Sequence, residues 1–541
     1  MNVVTIRRSF SYMEVIVKNL TRTRFINSLA TLSALAFAGA LNAQQITLTS
    51  PDGLFSASGN LVSLEDGIYT ISTTLGNMQI SAETVTCEGA NCPSLVEIGS
   101  DIEVDLRFAG SNTVGSGLMP LLIAGYAASH NASSDPIPTS DGTSILELIA
   151  DEGYGEPIGV FQVDPSNSTS GFEELLANEA GVGMASRRIL REEARALAQD
   201  GAGSMIALEQ EHIVAVDSVV VIVNPSNPVD SISVSDLQSI FRGSVTNWSE
   251  VGGPDLPITV YSRSESAATR DFFDTSIFGA PQAIQIARIA GTDDSMAAKV
   301  SGSPGAIGFV GYAFINNAKP VSLVSQCGIV SSPDVFSAKT EEYLLERRLY
   351  LYTREDTISD TASEFLDFAL STEADGVIEK SGYIGLGISR ISQELARERM
   401  QATADVTSNA FELDLMRDLL LELFQWDRLS TTFRFASGSN NLERKSVLDL
   451  DRLVEYLMDA TPGTRVALVG FTDSDGVFNS NRTLSNQRAA RALQEIENRA
   501  AGQLDHVTFE TFGFGELAPA DCNSASEGKR INRRVEVWIR D

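Results

Sequence analysis

Val466-Ala-Leu-Val-Gly-Phe-Thr-Asp473-Ser-Asp-Gly476 reads as an apolar strand that runs into a glycine-punctuated loop. The residues beyond it, Asn481, Leu484-Ser485 and Gln487-Arg488-Ala489, open an amphipathic helix. Ser485 suits the N-cap of that helix, which puts Arg488 at its third position. Ala489, Ala492, Leu493, Ile496 and Ala500 share one helical face, so Arg488 points away from them, toward the loop of Asp473. An acid and a base beside a helix N-terminus suit a zwitterionic amino acid: carboxylate for its ammonium, guanidinium and free N–H groups for its carboxylate. The bland alternative is a surface ion pair, which contributes only ~0–1 kcal/mol. Spacing alone does not choose between the two.

Outward from this stretch, a series of short pieces recurs in order. They are Phe433-Arg-Phe with Gly438-Ser, Gly470-Phe-Thr-Asp473 with Gly476, Asn481, Leu484-Ser485, Arg488-Ala489, Gly513-Phe-Gly515 with Pro519, and Asn532-Arg-Arg-Val535. Residues 431–541 thereby resemble the OmpA-like peptidoglycan-binding domain, found also in MotB and Pal. The resemblance implies an α+β unit that grips the diaminopimelate of the stem peptide. Asp473 would take the ammonium and Arg488 the carboxylate, with Asn481 and Arg534 as further polar groups near the site. Lys529 stands where the family usually has Arg, a point charge in place of a planar fork.

Further upstream the pattern is α/β, with strand-like runs at Val104 to Ala109, Ile158 to Val163, Val214 to Val223, Ile258 to Tyr261 and Ile307 to Val310 alternating with helical ones. Three Ser/Thr-rich loops each open a helix: Gly110-Ser-Asn-Thr113, Asn167-Ser-Thr-Ser170-Gly171 and Arg263-Ser-Glu265-Ser-Ala-Ala-Thr269. Free N–H groups and hydroxyls at such places hold an oxyanion, although any one of them alone is better read as ordinary N-capping. Gly183-Met-Ala-Ser-Arg187, Val221-Ile-Val-Asn-Pro225, Val245-Thr-Asn-Trp248 and Gly305-Ala-Ile-Gly-Phe309 complete a resemblance to PstS-like phosphate-binding members of the periplasmic binding protein superfamily. That implies a two-lobed α/β domain closing at a hinge, a phosphate or other small oxyanion as ligand, and an ABC permease as a further partner. Ser111, Thr113, Ser170, Arg263 and Thr269 are the candidate contacts. The chain departs from the family at Glu265, at Ala267 and Ala268 in the anion loop, and at Ser186, where the family carries a proton-accepting Asp.

The remaining expectations are organisational. With 541 residues the chain is too long for one core. The expected plan is a signal peptide over 1–43, a small all-β module over 44–100, the solute-binding domain over 101–390, a helical linker over 391–428 and the OmpA-like unit over 429–541. Arg7, Arg8, Lys18, Arg22 and Arg24 precede the apolar run Phe25 to Leu41, which ends in small residues, with Met1 or Met13 as the start. Export places the chain in the periplasm of a Gram-negative envelope, on peptidoglycan and at the outer membrane. The net charge of −31 opposes nucleic-acid binding. Cys87 and Cys92 flank a short loop and pair; Cys327 and Cys522 either bridge two domains or stay as buried thiols. Three scattered His and no Cys/His cluster argue against a metal, a cofactor or catalysis. A structural envelope protein whose central domain has lost its ligand is the alternative; a phosphatase lacks its metal ligands.

Overall fold

The computed structural model describes residues 45–49, 56–65, 68–73, 76–81, 85–88, 92, 103–139, 142–151, 157–265, 267–281, 287–392 and 410–541. The export signal expected over 1–43 lies outside them, as does the first part of the expected linker helix. The chain divides into two compact units, Met1–Pro93 and Ser94–Asp541. The first is an antiparallel sheet in the order Gly76–Ser81, Ile68–Thr73, Ser56–Glu65, Gln45–Thr49, Thr86–Glu88. Alternation along these strands sends Ile46, Leu48, Tyr69, Ile71 and Ile80 into one core. Thr47 and Thr49 face the other way, and their hydroxyls meet those of Ser58 and Ser56. Cys87 and Cys92 are joined in a disulfide.

The second unit is organised by one long strand, Glu211–Val223, buried along its whole length. Such a strand must be apolar on both faces, which is why Val214 to Val223 reads as a nearly unbroken apolar run. Its first part pairs with Glu346–Tyr352, from Glu211 opposite Tyr352 to Ser218 opposite Glu346. Its second part pairs with Ala306–Gly311, from Val219 to Val223. The strand thus passes from one core to another. The first core contains Phe108, Leu122, Phe161, Met184, Val214, Leu349 and Phe365. The second contains Val221, Leu237, Phe241, Trp248, Phe273, Phe309 and Leu323. In it the Phe273 and Phe309 rings stack at 4.0 Å. Two lobes result, each with its own core, sharing the strands that cross near Asp217 and Arg347. In the first lobe Leu106–Ser111 runs parallel to Pro157–Ser166 and to Val182–Ala185, so their C-terminal ends and the loops beyond them open on one side.

In the C-terminal part the sheet order is Arg390–Ile391, Asp427–Arg434, Arg534–Arg540, Arg465–Gly470, Thr508–Gly513. The last two strands are parallel and connected by the helix Phe478–Ala500. This helix begins about two turns before Ser485, so Ser485 is not its N-cap and Arg488 is not in its first turn. The cause is tertiary: Phe478 packs with the cluster of Phe471 and Phe514, and that burial draws the preceding residues into the helix. The apolar stripe is as expected, with Ala489, Ala492, Ile496 and Ala500 buried and Leu493 partly so. The helix Ala410–Leu423 lies on the opposite face of the same sheet, its Met416, Leu419 and Leu423 against Trp426, Val469 and Trp538. Cys327 of the second lobe and Cys522 form a disulfide, which resolves the open alternative for that pair.

Candidate functional site

Two candidate sites lie at strand ends. In the C-terminal part, the strand Arg465–Gly470 delivers Phe471, Thr472 and Asp473 to the loop that precedes the long helix. Asp473 is buried, and its Oδ2 accepts from Arg533 Nη1 at 2.9 Å. Arg488 reaches the same place from the helix, through two close approaches. A Cβ on Gly470 would lie 2.0 Å from the Ser485 carbonyl oxygen, and one on Gly513 would lie 2.5 Å from the Asn486 nitrogen. Only glycine lets the helix press so near the strands. Ser485 Oγ donates to the Arg482 carbonyl and accepts from the Gly515 N–H, both at 2.9 Å, fixing the helix in depth.

Arg488 is 1% exposed. Its guanidinium donates to the carbonyls of Ser439 at 3.0 Å and of Phe471 and Ala436 at 3.4 Å, and lies 5.4 Å from the Phe435 ring centre. Among the described residues no carboxylate forms an ion pair with it. Burial therefore pushes it down to about 10, with the Asp473 charge opposing and Arg533 assisting. It remains a cation at neutral pH, held by neutral acceptors beside a carboxylate that another arginine neutralises. Asn481 Nδ2 donates to the Asp473 carbonyl at 3.4 Å and to Glu516. Lys529 pairs with Asp475 at 2.7 Å. Arg534 lies beneath the site: it is fully buried, bonds Glu536 and stacks 4.1 Å from the Phe471 ring centre. Arg533, its neighbour, is the group that sequence reading missed.

The central domain offers a second set. Ser111, at the end of its strand, is fully buried and its Oγ has no hydrogen-bond partner among the described residues. Ser262 Oγ, at the end of Thr259–Ser262, is in the same condition, and so is Nε of the adjacent Arg263. Arg263 pairs through Nη1 with Asp293. Asp293 is pushed up by burial, against the pull of Arg263 and the Gly311 N–H. A second buried pair, Arg347 with Asp217 at 2.7 Å, sits where the crossing strands meet and leaves Arg347 Nη1 unspent. Tyr383 donates to the Thr113 carbonyl at 2.8 Å. Burial raises its hydroxyl pKa, and the charges of Asp217, Arg347 and Asp293 act on it too. Tyr383 therefore fixes the Thr113 loop within its own lobe. Thr269 is buried in the first turn of Ala268–Phe278, whose N-cap Ala267 supplies no side-chain acceptor.

Other candidates are spent locally. Ser170 N donates to Asn167 Oδ1 and Ser170 Oγ accepts from Asn167 Nδ2, an N-cap arrangement. Ser186 is buried, its N–H on Ser168 Oγ. Arg187 is held by Glu193 and Thr169 over the Phe172 ring. Glu265 is exposed. Asp217, Asp293 and Arg347 escaped the sequence reading; the available signal was a charge interrupting an apolar run, at Val216-Asp217-Ser-Val and at Glu346-Arg347-Arg-Leu. Among the described residues no helix is long and apolar enough to cross a membrane, and no cluster of His, Cys, Asp and Glu could hold a metal.

Two family models match the chain: the PBP superfamily domain over residues 96–373 and the OmpA family over residues 434–533. The phosphate-binding protein PstS of Bacillus subtilis is 28% identical over 265 residues, 47% of this chain and 83% of the relative. Protein SphX of Synechococcus elongatus is 27% identical over 285 residues, 50% of this chain and 83% of the relative. Among solved structures, an ABC-type phosphate transport receptor from Vibrio cholerae aligns at TM-score 0.40 and 23% identity, over 52% of this chain and 99% of that one. The peptidoglycan-associated lipoprotein from Burkholderia pseudomallei aligns at TM-score 0.19 and 20% identity, over 20% of this chain and 90% of that one.

Proposed function

The chain belongs to the PBP superfamily, matched over residues 96–373, and from that premise we propose that it is a cell-envelope binding protein with two ligands. The central domain captures a small oxyanion, phosphate first, in the periplasm of a Gram-negative cell, and hands it to an ABC permease. The C-terminal unit holds the molecule non-covalently on peptidoglycan, at the outer membrane side, by gripping diaminopimelate. No catalysis is assigned.

The observation that carries the first half is the set of buried, unspent donors at strand ends: Ser111 Oγ, Ser262 Oγ and Arg263 Nε. Buried polar groups are nearly always satisfied, so donors left over at strand ends call for an acceptor that arrives from outside. The names of the curated relatives support phosphate as that acceptor. Titration calorimetry of the full chain with phosphate should give heat and a thermal shift. Silence with phosphate, sulfate and organic phosphates alike rejects the reading. For the second half, the support is a buried Arg488 beside Asp473 that has no carboxylate partner among the described residues. Asp473→Ala or Arg488→Ala should abolish sedimentation with purified peptidoglycan, and retained binding by both rejects the site.

One observation favours a second reading, a scaffold whose central domain takes no solute. Arg263 already carries Asp293 as a counter-ion, and Ala267 and Ala268 bring no hydroxyl to the anion loop. The same calorimetry decides between them.

A further inference from the structure

The C-terminal part touches both lobes of the binding domain, and it does so by different means. On the second lobe the attachment is covalent and ionic. Cys327 is bonded to Cys522. Glu341, held in the left-handed region at φ 60°, buries its carboxylate among four cations. Three come from the C-terminal part: Arg530 at 2.9 Å, Lys445 at 3.4 Å and Arg434 at 3.8 Å. The fourth, Arg348, belongs to the strand Glu346–Tyr352 that crosses between the lobes. These cations hold Glu341 well below the usual carboxylate range despite its burial. Glu342 adds a pair to Arg428 at 2.7 Å, and Arg434 also donates to the Thr340 carbonyl.

On the first lobe the grip is made, among the described residues, by the side chain of Arg452. Arg452 donates to Asp375 Oδ2 at 2.9 Å and to the Leu370 carbonyl at 2.8 Å. Between the two attachments runs the connection itself. Lys339 of the second lobe donates to the Gly387 carbonyl and to Ser389 Oγ, and Arg390–Ile391 then joins the C-terminal sheet.

We propose that the C-terminal part is a clasp across the hinge: it is fixed to the second lobe through Cys327–Cys522 and Glu341, and it restrains the first lobe through Arg452. The lobes meet along the crossing strands near Asp217 and Arg347 and where Ile384 packs with Ala338, and a rotation there moves the first lobe relative to Arg452. That rotation breaks two charge-assisted bonds of a half-buried guanidinium. Separation of the lobes is therefore rare while Arg452 is in place. The clasp does not depend on what either site binds.

Single-molecule fluorescence transfer on the full chain tests this without ligand. Maleimide dyes go on Glu192→Cys of the first lobe and Ala298→Cys of the second, both exposed. With the native Arg452, one narrow population is expected. Arg452→Met should add a second population of lower transfer efficiency, at ten times or more the fraction found before. An unchanged distribution in Arg452→Met overturns the clasp, as does a chain that already shows both populations with Arg452 intact. Should Arg452→Met fail to fold, Arg452→Lys keeps the charge, cannot reach both acceptors, and carries the same two outcomes.

Discussion

Arg533 and Arg534 are neighbours with unrelated work. One holds Asp473 at the rim of the site, and the other is buried under it with Glu536. Successive residues of an extended chain face opposite ways, and a shift of one position exchanges their roles. A single sequence shows that two arginines precede an apolar strand but not which parity the sheet imposes. That is why Asp473 and Arg488 were legible and Arg533 was not. Replacing Arg533 by Ala leaves a buried carboxylate without its partner. We expect at least tenfold weaker sedimentation with peptidoglycan and a stability loss of ~1–3 kcal/mol in urea; full retention of both would make Arg533 incidental. His212 makes a separate residue-scale point. Burial depresses its pKa below the ordinary 6.5, against weaker opposing contributions from Glu209. The unfolded chain then binds the proton more readily than the folded one, so stability is intact above pH 6.5 and falls as the pH drops through the depressed value. The slope is at most ~1.4 kcal/mol per pH unit. His212→Gln should flatten that acid limb in denaturant melts taken from pH 7.5 to 5; an unaltered limb would assign it to other groups.

At the level of elements, the long helix Phe478–Ala500 shows where local signals mislead. Ser485 and the residues after it look like a start, because a serine before an amphipathic run favours capping. Packing of Phe478 overrides that preference and turns Ser485 into a pin inside the helix. The glycines of the motif were legible as family marks, yet their purpose needed coordinates: Gly470 and Gly513 clear the space into which the helix presses. Gly470→Ala must push the helix outward by the Ser485 carbonyl. Overpacking of this kind costs ~1–3 kcal/mol, and urea midpoints should fall accordingly, with peptidoglycan binding weakened because Arg488 rides on the same helix. By contrast, Gly376 meets nothing within 4 Å in its helix. Gly376→Ala should raise stability by ~0.4–1 kcal/mol, as expected when only the unfolded chain is restricted. A loss at both positions would show that any added methyl group harms this chain.

Across the whole molecule, the alternation of strands and helices announced an α/β domain, and the resemblances carried by the ordered motifs announced its two lobes and the terminal unit. Their docking was not announced. Glu341 lies in Lys339-Thr-Glu-Glu-Tyr, a polar stretch like many loops, and its cations come from positions 348, 434, 445 and 530. Convergence over such separations leaves no local pattern. The same holds for Cys327 and Cys522, 195 residues apart, which sequence alone left undecided. Closing so long a loop restricts the unfolded chain, and the bond should contribute ~2–5 kcal/mol. The double variant Cys327→Ser, Cys522→Ser should lower the thermal midpoint of the second unit and leave the Cys87–Cys92 module as it is; an unchanged midpoint would mean that the Glu341 cations alone hold the parts together.

That bond has a further consequence for the fate of the molecule under proteolysis. A protease that severs the backbone anywhere between positions 327 and 522 does not divide the protein. The fragments travel together on a denaturing gel until a reductant is added, so the binding-domain part stays joined to the C-terminal part after the cut.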